Sequence, residues 1–418
     1  MRNWKTVKLG KVCEVVRGGS PRPIIDFVTT SPYGVNWLKI GDVNEHDKYL
    51  THSAERIIKA GTAKSRAVKK GDLILSNSMS FGRVFITLID GCIHDGWLRL
   101  RNNENLLDRE YLYYFLSSKF AQNQFKAIAT GSVVNNLKSD TVKNIDIDLP
   151  SLDEQRAIAS ILCLLDDKIA INEKINNHLE QIAQAIFKSW FVDFEPFGGK
   201  MPKDWREGTF SDLLSTIIGG DWGKDSSTSN NTQKVYCIRG TDIDNINAGN
   251  KGKMPIRYIF PKNYADKQLS VGDIVVEISG GSPTQSTGRC ALITQSLLDR
   301  YDFGMVCTNF CRAIKPLEGY SSFVYFYWKY LYDRGIMFSY ENGTTGIKNL
   351  NISDFLKIEP IIIPPIKVVF YFTEAVGILI DMIFSNSLAN ENLAVIRDTL
   401  LPHLMSGELS VTDLEDDK

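Results

Sequence analysis

The chain repeats itself, and an internal repeat limits the available architectures more than any other feature a sequence can carry. Trp4-Lys-Thr-Val-Lys-Leu-Gly-Lys-Val, followed by Gly18-Gly19, returns 201 residues later as Trp205-Arg-Glu-Gly-Thr-Phe-Ser-Asp-Leu, followed by Gly219-Gly220. Lys70-Gly-Asp-Leu-Ile-Leu-Ser is answered by Val271-Gly-Asp-Ile-Val-Val-Glu-Ile-Ser. A loop ending in Gly-Arg follows each, Gly82-Arg83 and Gly288-Arg289. Asn136-Leu137, Ser139-Asp140 and Pro150 find partners in Asn349-Leu350, Ser353-Asp354 and Pro364, the last three at an offset of 214. The chain therefore reads as a tandem duplication, with about a dozen residues inserted in the second copy.

Each copy begins as short strands and ends as a long helix. Asp72-Leu-Ile-Leu-Ser and Val84-Phe-Ile-Thr-Leu-Ile are rich in β-branched and aliphatic residues and are bounded by glycine turns. Aromatics at helical spacing predict helices within 109–128 and 321–338, and such stripes read as core rather than as base-stacking surfaces. The long helices follow Pro150 and Pro364-Pro365, and Ser151 with Glu154 forms a capping box at the first. Ile158, Leu162, Leu165, Ile169, Asn172, Asn176, Leu179, Ala183 and Ile186 then alternate in steps of four and three, the pattern of a coiled-coil seam. Adding 214 gives Phe372, Val376, Leu379, Ile383, Asn386, Asn390, Leu393, Arg397 and Leu400, so the seam recurs with both asparagines. An antiparallel pairing of the two helices sets Asn172 and Asn176 against Asn390 and Asn386, where polar groups lower stability but fix register. Forty helical residues at ~1.5 Å each make a rod of about 60 Å, a spacer between two copies of one module.

Composition is that of an ordinary globular protein, and 418 residues imply more than one domain. The net charge of −1 hides a local asymmetry. Residues 2–22 hold Arg2, Lys5, Lys8, Lys11, Arg17 and Arg22 against Glu14 alone, and 59–70 hold five cations and no acid. Acids gather between Asp153 and Glu195 and in the tail from Asp413. Local basic faces on a neutral chain fit local phosphate contact. Seven scattered cysteines without zinc-ligand spacing predict reduced, mostly buried thiols and a cytoplasmic protein. Residues 368–384 are the most apolar, but Glu374 and Asp381 interrupt them, so a buried helix is expected rather than a membrane span. No phosphate-binding loop, nucleophile elbow or zinc-protease motif is present, and the five histidines (His46, His52, His94, His178 and His403) stand far apart.

Three motifs carry a family resemblance: Pro150-Ser-Leu-Asp-Glu-Gln-Arg-Ala-Ile-Ala, Ile186-Phe-Lys-Ser-Trp-Phe-Val-Asp-Phe-Glu-Pro196, and Leu400-Leu-Pro-His-Leu-Met-Ser-Gly-Glu-Leu. With them the whole chain resembles the specificity subunit of type I restriction–modification systems. One departure is the second helix start, Pro364-Pro-Ile-Lys-Val-Val-Phe, which lacks the Glu154-Gln155 pair. The resemblance implies an α+β fold, a tandem repeat of two α/β target recognition domains separated by two long antiparallel coiled-coil helices with pseudo-two-fold symmetry. The expected limits are 1–150 and 197–364 for the recognition domains, 151–196 for the first spacer, and 365–418 for the second spacer and tail.

The implied role is non-catalytic. Each recognition domain reads half of a split site in double-stranded DNA, and the helices set the gap and dock two methyltransferase subunits. An endonuclease/translocase subunit completes the complex, and S-adenosylmethionine, ATP and magnesium belong to those partners. A rod of about 60 Å bounds the separation at roughly 18 base pairs of ~3.4 Å. Base-edge readers are expected on loops after strands: Arg17, Ser20, Arg22, Asn77, Ser78 and Arg83 in the first copy, and Trp222, Lys224, Arg239, Ser282, Thr284, Gln285 and Arg289 in the second. Lys64, Arg66, Lys69 and Lys348 are expected on phosphates. A methyltransferase with its own recognition domain would need a glycine-rich cofactor loop and an Asn-Pro-Pro-Tyr-type motif, and neither is present. A coiled-coil scaffold has no need of two diverged basic modules.

Overall fold

Two forty-residue helices, Leu152–Phe191 and Ile366–Met405, organise the chain, each closing one copy of the repeat. A computed structural model describes residues 4–44, 47–78, 81–129, 136–280, 282, 284–343 and 348–411; His46 and the acidic tail from Asp413 lie outside them. The chain divides into two units, Met1–Lys168 with Leu393–Lys418, and Ile169–Asn392. The division falls inside both long helices, so each unit contains one β-rich module and part of each helix.

In the first unit, Lys5–Lys8 pairs antiparallel with Asp146–Leu149 and ties the start of the module to its end. A five-stranded sheet then runs in the order Cys13–Arg17, Trp97–Asn102, Leu73–Ser76, Val84–Thr87, Tyr49–Leu50. A second five-stranded sheet contains a parallel pair, Val35–Leu38 beside Gly91–Ile93. The second unit repeats the scheme: Arg206–Thr209 pairs with Pro360–Ile363, and Gln233–Ile238 runs parallel to Met305–Cys307. The aromatic stripes are core, with Tyr111, Tyr114 and Phe115 buried in the first copy and Phe323, Tyr325 and Trp328 in the second. The first of the two predicted inserts is two helices, Arg109–Ser117 and Lys119–Ile128, because Ser118 turns extended and caps the second by accepting from Ala121 N.

Strand register locates the insertions. Cys13 pairs with Asn102 and Leu214 with Pro316, an equivalence at offset 201, but Arg17 pairs with Leu98 and Gly219 with Arg312, which raises it to 202. The extra residue is a bulge at Ser215, so Gly18 corresponds to Gly220 rather than Gly219. A Cβ on Gly18 would meet the His94 carbonyl oxygen at 2.1 Å, and one on Gly220 would meet that of Thr308 at 1.9 Å. The offset is 201 at Gly71 and Gly272, 206 at Gly82 and Gly288, and 214 at Ile93 and Cys307. The dozen residues therefore enter twice, once in the loop before Gly288 and once as a segment carrying the short helix Gln295–Leu298.

The Gly-Asp motif is part of this framework. Gly71 and Gly272 have φ of +96° and +90°, and the aspartates that follow accept from Lys69 N and Ser270 N. Arg101 and Lys315, at equivalent positions of Trp97–Asn102 and Cys311–Pro316, neutralise Asp72 and Asp273. Gln155 is fully buried, accepting from Asp108 N and donating to the Leu106 and Pro150 carbonyls. Its counterpart Val369 packs in an apolar core instead, which is how the second copy dispenses with the Glu-Gln pair.

The helices run antiparallel in both units. In the first, Ile158 and Leu162 are buried with Leu404 and Met405, while Leu165 and Leu393 are half-buried. In the second, Asn172 Nδ2 donates to Asn390 Oδ1 (2.7 Å) and Asn386 Nδ2 to Asn176 Oδ1 (2.9 Å). Asn176 also donates to the Ile383 carbonyl and Asn390 to that of Ile169. Leu179, Ala183 and Ile383 are buried along this contact, with Ile169 and Leu379 half-buried. Beyond Ala183 the buried positions move to Phe187 and Phe191, and Ile186 is half-buried, so steps of four replace the alternating seam. Asn176→Leu alone should lower stability by ~1–3 kcal/mol, because half-buried Asn386 loses its acceptor. Leucine at all four positions should instead raise the melting temperature and loosen register; calorimetry, with crosslinking to report register, checks both outcomes.

Ile366–Met405 is, among the described residues, the one helix long and apolar enough to cross a membrane by length and composition. Phe372, Val376, Ile383 and Phe384 from that stretch are buried within the second unit.

Candidate nucleic-acid interface

Four polar residues of the first copy that sequence placed on reading loops meet at a fifth residue that it did not, Asp95. Arg17 Nε and Asn77 Nδ2 donate to the Asp95 carbonyl at 3.2 and 2.8 Å. Ser20 Oγ donates to the Asp95 carboxylate at 2.6 Å, and Arg22 Nη2 lies 3.8 Å from it. The Ser20 hydrogen bond, helped by the charges of His94 and Arg17, holds the Asp95 carboxyl below the usual carboxylate range despite partial burial. Arg66 Nε reaches the Arg17 carbonyl at 3.5 Å. Asn77 itself is 2% exposed and serves as a strut, while Ser78 beside it is half-buried. The signal that could have located Asp95 was the Asp95-Gly96 turn dipeptide between two strands.

Other cations of the first copy are held individually. Lys64 lies 4.6 Å over the Phe27 ring, and Lys69 pairs with Asp90 at the surface. Arg83 donates to the Asn44 carbonyl and lies over the Phe85 ring.

In the second copy, Trp222 and Lys224 share a loop pinned by Arg257, which is 5% exposed. Arg257 donates to the Trp222 carbonyl at 2.8 Å, pairs with Asp225 and stacks 4.2 Å from the Trp222 ring. Lys224 and Tyr258 exchange backbone hydrogen bonds that fix the same loop against the neighbouring strand. Ser282, Thr284 and Gln285 form one exposed turn in which Ser282 Oγ accepts from Thr284 N and Gln285 N. Arg239 and Arg289 are built into the framework. Arg239 makes two hydrogen bonds of 2.9 Å to Asp242, and Arg289 binds Glu277 through two nitrogens and Asp244 through a third. Lys348 pairs with Glu341; burial raises that carboxyl, but Lys348 and Thr287 outweigh it and leave it lowered.

Two arginines show how the copies diverge on one frame. Arg17 stands opposite Leu98 and Gly219 opposite Arg312, so the arginine has changed strands between copies. Arg312 Nη1 nevertheless reaches the Asn309 carbonyl at 3.1 Å, as Arg17 reaches that of Asp95. Asp95 and Asn309 are equivalent at offset 214, and each follows the residue against which Gly18 or Gly220 packs. The backbone of this turn is held alike in both: Asn77 N donates to the Gly96 carbonyl and Ile278 N to that of Phe310.

No group of three or more histidine, cysteine or acidic side chains is placed to hold a metal ion among the described residues. All seven cysteines are free; Cys163 is half-buried and the other six are buried.

Comparison with known proteins matches residues 1–181 to the type I restriction modification DNA specificity domain. The chain is 27% identical over 439 aligned residues to the type I restriction enzyme MjaIX specificity subunit of Methanocaldococcus jannaschii, covering 99% of this chain and 95% of that one. It is 26% identical to the HindI specificity subunit of Haemophilus influenzae, covering 98% of this chain and all of the relative. The fold matches the S subunit of a type I restriction–modification system from M. genitalium with a TM-score of 0.53 at 17% identity, over 96% of each chain. Residues 1–181 thus carry a type I restriction modification DNA specificity domain, and along nearly its whole length the chain is similar to the specificity subunits of type I restriction–modification systems, the non-catalytic components of those systems.

Proposed function

We propose that each copy reads one half of a bipartite, asymmetric site in double-stranded DNA. The observation that carries this reading is one framework presented twice with different side chains at its tips: Arg17, Ser20 and Arg22 around Asp95, and Trp222, Lys224, Thr284 and Gln285 on the second copy's loops. Ser78, Arg83 and Ser282 flank those sets, and Lys64, Arg66, Lys69 and Lys348 position the duplex through its phosphates. The modules are residues 1–150 and 197–364, and residues 151–196 and 365–418 space them. Two tethered modules raise the effective concentration for the second half-site once the first is bound.

The long helices then dock two copies of a methyltransferase subunit, and an endonuclease/translocase joins that assembly. The support is a second apolar stripe on each helix, one position before the seam. Leu164, Ile171, Ile175 and Ile182 on the first helix, and Tyr371, Ile378, Met382 and Ile396 on the second, are all exposed. Exposed apolar side chains recurring on a helix face are what a protein partner would cover. S-adenosylmethionine, ATP and magnesium are used by those partners.

A gel shift on random-sequence DNA across a salt series, with the chain alone and with a methyltransferase partner, tests the reading. Binding should weaken linearly in log–log coordinates, by about 0.9 in slope for each phosphate neutralised. Absence of binding in both arms would overturn it.

A further inference from the structure

The turn occupied by Asp95 and Asn309 has a property that neither copy displays alone. Its backbone is conserved in detail: a glycine packs against the preceding carbonyl, an arginine holds the tip carbonyl, and the loop after the central strand donates to the next carbonyl. Its side chains are not conserved, being His94-Asp95-Gly96 in one copy and Thr308-Asn309-Phe310 in the other. A rigid backbone carrying variable polar tips is what base-edge reading requires, because phosphate contacts position a protein without distinguishing sequences.

The two tips also have the right chemistry. Arg22 Nη2 lies 3.8 Å from the Asp95 carboxylate and Arg17 Nε holds the Asp95 carbonyl, a poor place for a carboxylate if the surface met phosphates alone. An ionised carboxylate is an acceptor only, and Ser20 orients it while its side chain stays 43% exposed. Asn309 is exposed beside Phe310, which is 63% exposed although its carbonyl is anchored by Ile278 N and Ser279 N. Asp accepts from cytosine N4, Asn bonds adenine N6 and N7 as a pair, and an aromatic edge can meet a thymine methyl.

We infer that Asp95 and Asn309 are the specificity-determining residues of a shared tip position, Asp95 selecting a cytosine in one half-site and Asn309 an adenine in the other. This rests on the bipartite reading proposed above. The test selects bound duplexes from a randomised library at one salt concentration, using the full chain with its methyltransferase partner, for the parent protein, Asp95→Asn and Asn309→Asp. Asp95→Asn should replace a required cytosine by adenine at one position of one half-site; Asn309→Asp should make the reverse exchange in the other. Each change should shift preference by roughly 5- to 100-fold.

An unchanged consensus in both variants overturns the inference. So does a uniform loss on every sequence by a variant whose melting temperature is unchanged, since that marks a positioning role. If the variants do not fold, the parent protein is offered DNA with 2-pyrimidinone, which lacks the N4 amine, at each cytosine in turn. Loss of about 5-fold or more at a single cytosine supports the inference, and loss at none overturns it. A parent protein with no sequence preference at all defeats the bipartite reading itself, and the inference with it.

Discussion

Phe187→Ala is expected to destabilise the second unit by about 3–5 kcal/mol, the range for removing a fully buried phenylalanine. At roughly 2–4 °C per kcal/mol for a unit of this size, that is a fall of about 6–20 °C in its calorimetric transition. The ring is wholly buried, with its centroid 5.3–6.0 Å from those of Phe191, Phe323, Tyr327, Tyr330 and Phe372. Those partners come from both long helices and from the module's aromatic helix, so no single element can move in to fill the void. Ile186→Ala, one residue away and half-buried, should cost markedly less, and Ile182→Ala, on the exposed stripe, about 0.5 kcal/mol or less. Equal losses at 186 and 187 would show that the alternating seam continues to the end of the helix and that Phe187 is not the pivot.

Lys48→Met should cost the first unit about 2–4 kcal/mol through a different mechanism, the loss of the buried cation facing Glu110, which keeps only its surface pair with Arg109. The Lys48 side chain is 9% exposed, and its ammonium lies 3.0 Å from Glu110 and 3.1 Å from the Tyr114 hydroxyl. The Tyr113 and Tyr114 rings are 5.0 and 4.7 Å away. Burial works against the charge, but Glu110 outweighs it and raises the Lys48 pKa. Tyr114 passes the network on to Asp166 at 2.6 Å, and Asp166 pairs with Arg397 at 2.7 Å. Module and both helices of that unit are thus joined by one polar chain. Adding Glu110→Gln to Lys48→Met should restore part of the loss, because the carboxylate that lost its buried partner is then neutral; chemical denaturation of both variants provides the comparison. If the double variant is as unstable as the sum of the singles, the two residues do not form a coupled pair. At the positions equivalent to Asp166 and Arg397 the second copy has Ile380 and Ala183, so the two copies grip their helices by unlike means.

The three motifs that carry the family resemblance turn out to be framework. Gln155 satisfies the backbone at the first helix start, Trp190, Phe191 and Phe194 belong to the aromatic cluster of the second unit, and Leu404 and Met405 close the core of the first.

What the sequence by itself determined was what period and repetition govern: the duplication, the two long helices after Pro150 and Pro364-Pro365, the asparagine pairs of the seam and the aromatic cores. Such features are local or nearly so, because helix and strand periodicity is written in spacings of two to seven residues. What only the tertiary structure decided was which side chains are free. Arg289 and Asn77 have the composition of reading residues but are tied to partners 45 and 18 residues away, while Arg239 is held by Asp242 three residues on, and Arg257 and Asp95 gained their roles from neighbours that spacing alone does not reveal. An arginine on a loop after a strand is the same letter whether or not an acid faces it. Strand register brings that acid into place, and register is fixed only when the sheets close.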